Sequence, residues 1–393
     1  MTEPFSYPFD VFSGAMPIDR RTFIAAAPFA PAAVLAAAAQ PQHQQLPHLL
    51  QMGGYPQNAE TPLELLTDYH TPNELFFVRS HWIPRMPDAK TWRLTIDGDV
   101  EKPLKLSIAE LKKLPRADVT CVLQCSGNGR AFHEPVVPGV QWRFGAVGNA
   151  KWSGVRVRDV VKANAGAKHL HLFGSDVPPG KVPPFHRSIE IEKVMSDAIL
   201  AFEMNGKPLP PEHGAPLRLV VPGWAGDHWM KWLVRISASD KQQTGFYMDT
   251  AYRWPNAPGA PGVAFKPEEM HPVTELFVKS NITTAPKHAK SGVAQTIRGF
   301  AFSSAPDVAK VEISDDIDAA GGATWSEATL DPRHDPYAWR LWSFAWTPRA
   351  TGTATLIARA TDSRGAVQPK DAQWNQSGYL YNSWHSVNVE VTA

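Results

Sequence analysis

The chain is poor in cysteine: its 393 residues hold two, Cys121 and Cys125. Neither belongs to a C-x-x-C-H or a paired C-x-x-C spacing, and no H-E-x-x-H occurs, so covalent c-type haem and the common zinc arrangements find no support. G-x-S-x-G and G-x-G-x-x-G are missing too, which removes a hydrolase elbow and a Rossmann dinucleotide site. A dominant charge is also lacking. With 39 basic and 38 acidic residues the net charge is +1, and no global field draws the protein to nucleic acid or a membrane surface. Beyond the N-terminus no apolar run reaches the roughly eighteen residues a spanning helix needs. Any preference for anions must therefore come from local arginines. What the chain does hold is proline and tryptophan, 36 and 14, a composition of loops and short strands. Its length predicts two domains.

The N-terminus has its own character. Asp19-Arg20-Arg21-Thr22-Phe23-Ile24 precedes an alanine-rich segment ending at Ala39, then Gln40-Pro41-Gln42. A basic pair, a mildly apolar stretch and small residues predict a twin-arginine export signal over 1–39 and a periplasmic destination. An ordinary alanine-rich helix is the alternative, and Pro28 and Pro31 count against it. The twin-arginine route carries folded proteins, so the signal itself points to a cofactor inserted before export.

From 63 to 249 helical and strand signals are mixed without a regular βαβ rhythm, which predicts α+β rather than a doubly wound sheet. Ser107-Ile108-Ala109-Glu110 is a capping box, with Ile108, Leu111 and Leu114 on one helical face before Pro115. Residues 92–98 alternate as a strand, and 198–202 and 217–221 are short buried-strand candidates. A proline- and glycine-rich crossing over 255–267 marks a junction. After it, 310–314, 355–360 and 386–391 alternate with period two and predict a β-sandwich, immunoglobulin-like in class. The domains are read as a signal at 1–39, a catalytic domain at 40–258 and a sandwich at 259–393.

Residues 119–123, β-branched and apolar, predict a strand that ends at Cys125 on a loop of small residues followed by Arg130. Along such a strand Cys121 and Cys125 lie about 13 Å apart, beyond the roughly 7 Å a disulfide spans. Cys125 is then a candidate nucleophile or metal ligand, or else a buried structural cysteine, the reading assigned to Cys121. Three further clusters place cations among apolar residues. Phe76-Phe77-Val78-Arg79-Ser80-His81 sets Arg79 and His81 on one side of a strand. His213 to Arg218 leads into Gly223-Trp224-Ala225-Gly226-Asp227-His228-Trp229-Met230-Lys231. Tyr337-Ala338-Trp339-Arg340-Leu341-Trp342 lies in the sandwich. Singly, each arginine is as well explained by a solvated salt bridge, and each histidine by a structural hydrogen bond.

Taken in order, these blocks resemble the sulfite oxidase family of molybdenum enzymes, closest to bacterial periplasmic sulfite dehydrogenases without a haem domain. The likeness runs from about residue 63 to the C-terminus. It includes Phe76-Phe77-Val78-Arg79, Leu123-Gln124-Cys125-Ser126-Gly127-Asn128, Glu203-Met204-Asn205-Gly206, Val220-Val221-Pro222-Gly223, Lys231-Trp232 and Asn382-Ser383-Trp384-His385. The resemblance implies a molybdenum with a pyranopterin dithiolene, its protein ligand the Cys125 thiolate, a soft donor suited to that metal. It implies Arg79, Arg130 and Arg340 near the substrate oxyanion, Trp142 in the pocket, and Tyr252 as the active-site tyrosine, with Tyr247 a nearby competitor. Phe77, Arg79, His81, Asp176, His213, Arg218, Trp229 and Lys231 match positions that hold the pterin and its phosphate, which cationic groups suit. Ser80 and His228 replace other residues in their motifs.

The implied function is oxidation of sulfite to sulfate. Electrons would leave to a separate c-type cytochrome, since no haem domain precedes residue 63, and the sandwich would mediate homodimerisation. Two rivals remain: the molybdenum subunit of a sulfane dehydrogenase in a thiosulfate-oxidising complex, and a non-catalytic exported module that binds an anion.

Overall fold

The computed structural model describes residues 47–53, 57–82, 88, 90–176, 178, 180–316 and 323–393. The twin-arginine segment lies outside the described residues. Residues Gln45–Ala393 form one compact unit.

Strands dominate, as the proline and tryptophan content leads one to expect. The longest helix among the described residues, Ile191–Asp197, has seven residues. The capping box forms as read: Ser107 Oγ accepts from the Glu110 amide at 3.2 Å and Glu110 Oε2 accepts from the Ser107 amide at 2.8 Å. The helix it opens spans only Ile108–Leu111, because Pro115 forbids a further turn.

Two five-stranded sheets build the first part of the chain. In one, Arg116–Gln124 pairs antiparallel with Val147–Arg156 along its whole length, from Arg116 opposite Val155 to Gln124 opposite Val147. Ile199–Met204 lies on the other side of Val147–Arg156 and also pairs with Arg218–Val220. The close approach is tight enough that a Cβ on Gly154 would overlap the Leu200 carbonyl. The second sheet runs Leu104–Leu106, Leu94–Gly98, Leu233–Ser239, His169–Gly174, His186–Glu190. Only its Leu94–Gly98 and Leu233–Ser239 pair is parallel.

After the proline-rich crossing come two more sheets. One is built on Lys279–Thr284, Gln295–Phe302 and Arg340–Trp346, the other on Val308–Ser314, Gly352–Asp362 and His385–Thr392. Their alternating residues meet in a core that includes Ile297, Val311, Trp342, Leu356 and Val389. This second part is not packed on its own, however. Phe300, Phe302, Trp339, Tyr379 and Leu380 belong to the core of the first part. Trp339 Nε1 donates to the Tyr69 carbonyl at 2.9 Å, and the Leu380 amide donates to the Ser126 carbonyl at 2.7 Å. A loop of the C-terminal part thus rests directly on the residue after Cys125.

Candidate active site

Cys125 sits where the Arg116–Gln124 strand ends. Its amide continues the ladder to the Ala146 carbonyl at 2.9 Å, and its own carbonyl accepts from the Asn128 amide at 2.9 Å. That reversal turns the chain over and leaves the thiol on the wall of a cavity of about 690 Å³ counted with its open mouth. Asn128 fixes the loop from inside, giving a hydrogen bond to Gln124 Oε1 at 3.1 Å and accepting one from the Ala146 amide at 3.1 Å. Small residues are required here. Gly129 has φ +93°, and a Cβ on it would stand 2.7 Å from the Tyr381 ring. Both cysteines are free thiols.

The cavity wall brings together Phe77, Arg79, His81, Cys125, Asp176, His213, Arg218, Trp229, Lys231 and Tyr252. These come from separate segments spread over more than half of the described chain. Tyr252 stands at φ +57°, a conformation uncommon for a non-glycine residue and typical of functional positions. Its amide donates to Tyr379 Oη at 3.3 Å, and its Oη is 2.8 Å from His81 Nε2. His81 is stacked on Phe185 at 4.2 Å. Burial, reinforced by the charges of Arg79, Lys231 and Arg187, holds its pKa well below the usual histidine value, so the ring is neutral. His213, buried, is likewise pushed down to about 3, chiefly by burial. Its Nε2 lies 3.1 Å from the Asn73 carbonyl, which can only accept, so that nitrogen carries the proton.

The cations of this wall, Arg218 buried and Arg79 and Lys231 half-buried, form no salt bridge among the described residues. Lys231 Nζ bonds Ser80 Oγ at 3.0 Å and the Glu212 carbonyl at 2.9 Å. Arg218 donates to the carbonyls of His213 and Trp229, lies over the rings of Trp152 and Trp229, and keeps a buried Nε with no partner. Burial drives the Arg218 pKa down to about 9 and that of Lys231 well below its ordinary value. Asp176 offers partial compensation only, its own carboxyl pushed up to about 6 by burial. Cations of this kind call for an anion. A phosphate-bearing, sulfur-donating group fits this wall: cations and a pinned Arg218 guanidinium for the phosphate, flat aromatic surface beside it, and a thiol for the metal. Replacing Lys231 with methionine should leave the fold intact and lower cofactor content about 10- to 100-fold at limiting supply, the worth of one charge-assisted hydrogen bond. Molybdenum and pterin analysis of the purified variant checks this.

Three expected site residues stand elsewhere, as does the competitor Tyr247. Arg130 is buried beneath the loop, donating to the carbonyls of Ser377 and Val140 at 2.8 Å each, its guanidinium 5.4 Å from the Tyr379 ring centre. It fastens the C-terminal loop to the Cys125 loop rather than lining the cavity. Trp142 is fully buried behind Phe77, edge-on at 6.5 Å. Arg340 does not reach the site: its Nη1 is paired with Asp307 at 3.1 Å on the C-terminal sheet, and its neighbour Trp339 makes the contact between the two parts. Tyr247 packs edge-on against His81 at 5.0 Å and is absent from the cavity wall, whereas Tyr252 forms part of it. The strand at Phe76–His81 also stops early, at Val78–Arg79; Arg79 and His81 share the wall through the bend that follows.

Sequence reasoning missed Arg187, Ser126, Asp227 and Tyr379. Asp227 and His228 lay inside a motif already singled out, and an acidic residue among tryptophans was a usable signal for a buried partner. Arg187 and Tyr379 carried none.

Residues 80–247 match the family described as an oxidoreductase molybdopterin binding domain, and residues 270–392 the Mo-co oxidoreductase dimerisation domain. Mitochondrial sulfite oxidase from Mus musculus is 36% identical over 362 residues, covering 86% of this chain and 64% of that protein. Sulfite oxidase from Arabidopsis thaliana is 33% identical over 375 residues, covering 86% of this chain and 92% of that one. The crystal structure of the sulfane dehydrogenase SoxCD from Paracoccus pantotrophus is similar at TM-score 0.74 and 26% identity, covering 92% of this chain and 93% of that chain. Fold and site define a chain with a molybdopterin-binding oxidoreductase domain joined to a dimerisation domain. It belongs to the sulfite oxidase family of molybdenum enzymes. It spans 64% of the length of the mouse relative.

Proposed function

We propose that this protein oxidises sulfite to sulfate, with Cys125 as the protein ligand of a molybdenum cofactor. The observation that carries the reading is the Cys125 thiol opening into a cavity whose Arg79, Arg218 and Lys231 form no salt bridge among the described residues. When bound, the cofactor supplies a transferable oxygen and accepts two electrons. In the net reaction sulfite gains one oxygen from water and releases two electrons and two protons.

The chain's own groups have definable tasks. Burial pushes the Cys125 thiol pKa up, while Arg79, the Gly127 amide and Arg130 pull it down; coordination to a metal would favour the thiolate. Arg218, Lys231 and His213 would hold the phosphate of the cofactor, and Phe77, Trp229 and Asp176 would complete the wall around it. Arg79 faces the anionic substrate from the wall, and a preorganised guanidinium in a partly desolvated site lowers the free energy of such an anion. Tyr252 Oη lies 2.8 Å from Nε2 of the neutral His81; with the imidazole proton on that nitrogen, the phenol accepts from His81 and its single O–H stays free to donate to the oxyanion. Arg130 acts at one remove, by holding the loop that carries Tyr379 against Tyr252.

The same proposal places the work in the periplasm, supported by Arg20-Arg21 and the alanine-rich segment after them. It includes a separate c-type cytochrome as acceptor, through the weak docking usual for redox encounters, and a homodimer formed by the C-terminal domain. That domain we read as an immunoglobulin-like sandwich, with the domain boundary near 258. A second reading, a dehydrogenase acting on protein-bound sulfane, is favoured by the likeness to SoxCD over nearly the whole chain. Steady-state assays with free sulfite and with a sulfane-bearing carrier protein, using ferricyanide or cytochrome c as acceptor, separate the two. Turnover of sulfite supports the first, turnover of the carrier alone the second, and no turnover with either contradicts both.

A further inference from the structure

Arg187 and Asp227 form an ion pair at 2.7 Å with both side chains wholly excluded from water. A pair of this kind is generally no more stable than apolar residues of the same volume, so its presence beside the site calls for a role. Its two ends reach different parts of the wall. Asp227 Oδ1 accepts from Ser126 Oγ at 2.6 Å, and Ser126 follows the proposed metal ligand directly. Asp227 also lies 3.2 Å from His228 Nδ1, and Arg187 Nη2 lies 3.0 Å from His228 Nε2. The other arm of Arg187 donates to the Tyr247 carbonyl, in the Phe246–Asp249 turn that leads to Tyr252. Its guanidinium carbon is 5.5 Å from the centre of the Tyr252 ring. Ser126 is held at its carbonyl as well, by the Leu380 amide.

We propose that Ser126, Asp227 and Arg187 form a positioning link that fixes the Cys125 loop relative to the Tyr252 segment. The inference rests on the reading of Cys125 as the molybdenum ligand. Neither Asp227 nor Arg187 is catalytic in this account. The carboxylate orients the residue beside the thiolate, and the guanidinium supports the phenol, so that metal and proton donor keep one separation. Because the pair is internally neutral, removing both charges together leaves the cation surplus of the cavity unchanged. What changes is the link.

Two variants test it in the full chain, Ser126→Ala and the double variant Arg187→Met/Asp227→Leu. The first removes one hydrogen bond while Asp227 keeps Arg187; the second replaces the ion pair by apolar residues, a change often neutral or stabilising. The double variant should keep the parent's Tm, Ser126→Ala should lower it only by the few degrees one buried charge-assisted hydrogen bond is worth, and both should keep the parent's molybdenum content. Both should lower kcat per molybdenum, about 10-fold for Ser126→Ala and up to about 100-fold for the double variant, as for other partners that orient a metal ligand. KM should stay within about twofold, the split expected when only transition-state interactions are lost. The visible thiolate-to-metal absorption should shift in both. Parental kcat and spectrum in Ser126→Ala would overturn the inference, as would a loss confined to Tm or KM. Should the double variant fail to fold, Ser126→Ala still decides. A parent protein that binds no molybdenum refutes the underlying reading and this inference together, whereas a loaded parent matched by its variants refutes the inference alone.

Discussion

Cys125→Ser protein is expected to fold, to lose the visible thiolate-to-metal absorption and to show no sulfite turnover. The loop is shaped by backbone bonds from the Cys125 amide and carbonyl and by Asn128, none of which needs sulfur. Serine therefore fits with little change in Tm. It cannot serve the metal in the same way, because a hydroxyl is a hard donor and stays protonated where a coordinated thiol does not. The control lies four residues away. Cys121 is also fully buried, its thiol pKa pushed up by burial, and it faces the core rather than the cavity. Cys121→Ser should keep the absorption and turnover while losing about 1–3 kcal/mol of stability from burying a hydroxyl. If the two variants behave alike, the assignment of Cys125 is wrong.

The second large effect is on stability in acid. His385 is buried, its Nδ1 accepting from the Ile282 amide at 3.1 Å and its ring edge-on to Phe144 at 4.6 Å. Burial first, and the charge of Lys279 second, push its pKa down to about 3, against about 6.5 for an unfolded histidine. The folded state therefore binds fewer protons than the unfolded state between those values. The stabilisation is fully present above about pH 6.5 and is lost as pH falls toward 3, at up to about 1.4 kcal/mol per pH unit for each such site. His133, pushed down to about 4, acts in the same direction. Urea unfolding at pH 7, 6, 5 and 4 should show a steep loss of stability. His385→Asn, whose carbonyl can still accept from Ile282, should flatten that limb, and parallel curves for the two proteins would contradict the assignment.

Much of the scaffold was legible because strand periodicity is a local property. Residues 119–123, 310–314, 355–360 and 386–391 all lie within observed strands, and the Ser107 capping box needed only residues 107–110. The cofactor wall was legible for another reason: its residues sit in contiguous motifs, so Arg79 travels with Phe77 and Lys231 with Trp229. The arginines failed where local pattern says nothing about the far end of a long side chain. Arg340 is neutralised by Asp307, 33 positions away, and Arg130 is tied to Ser377, 247 positions away. The Arg187–Asp227 pair joins a strand of one sheet to a turn 40 positions later, through an approach that only the tertiary fold creates. Tyr252 and Tyr247 could be told apart only by which side chain faces the cavity.

The central claim is that the Cys125 wall holds a redox metal for a sulfur oxyanion. Its most direct test is elemental analysis of the purified full chain, made in a host that produces the pterin cofactor, combined with visible spectroscopy during sulfite addition. The account predicts about one molybdenum per chain and bleaching of the absorption on adding sulfite. Folded protein without molybdenum, or with a spectrum indifferent to sulfite, would contradict it.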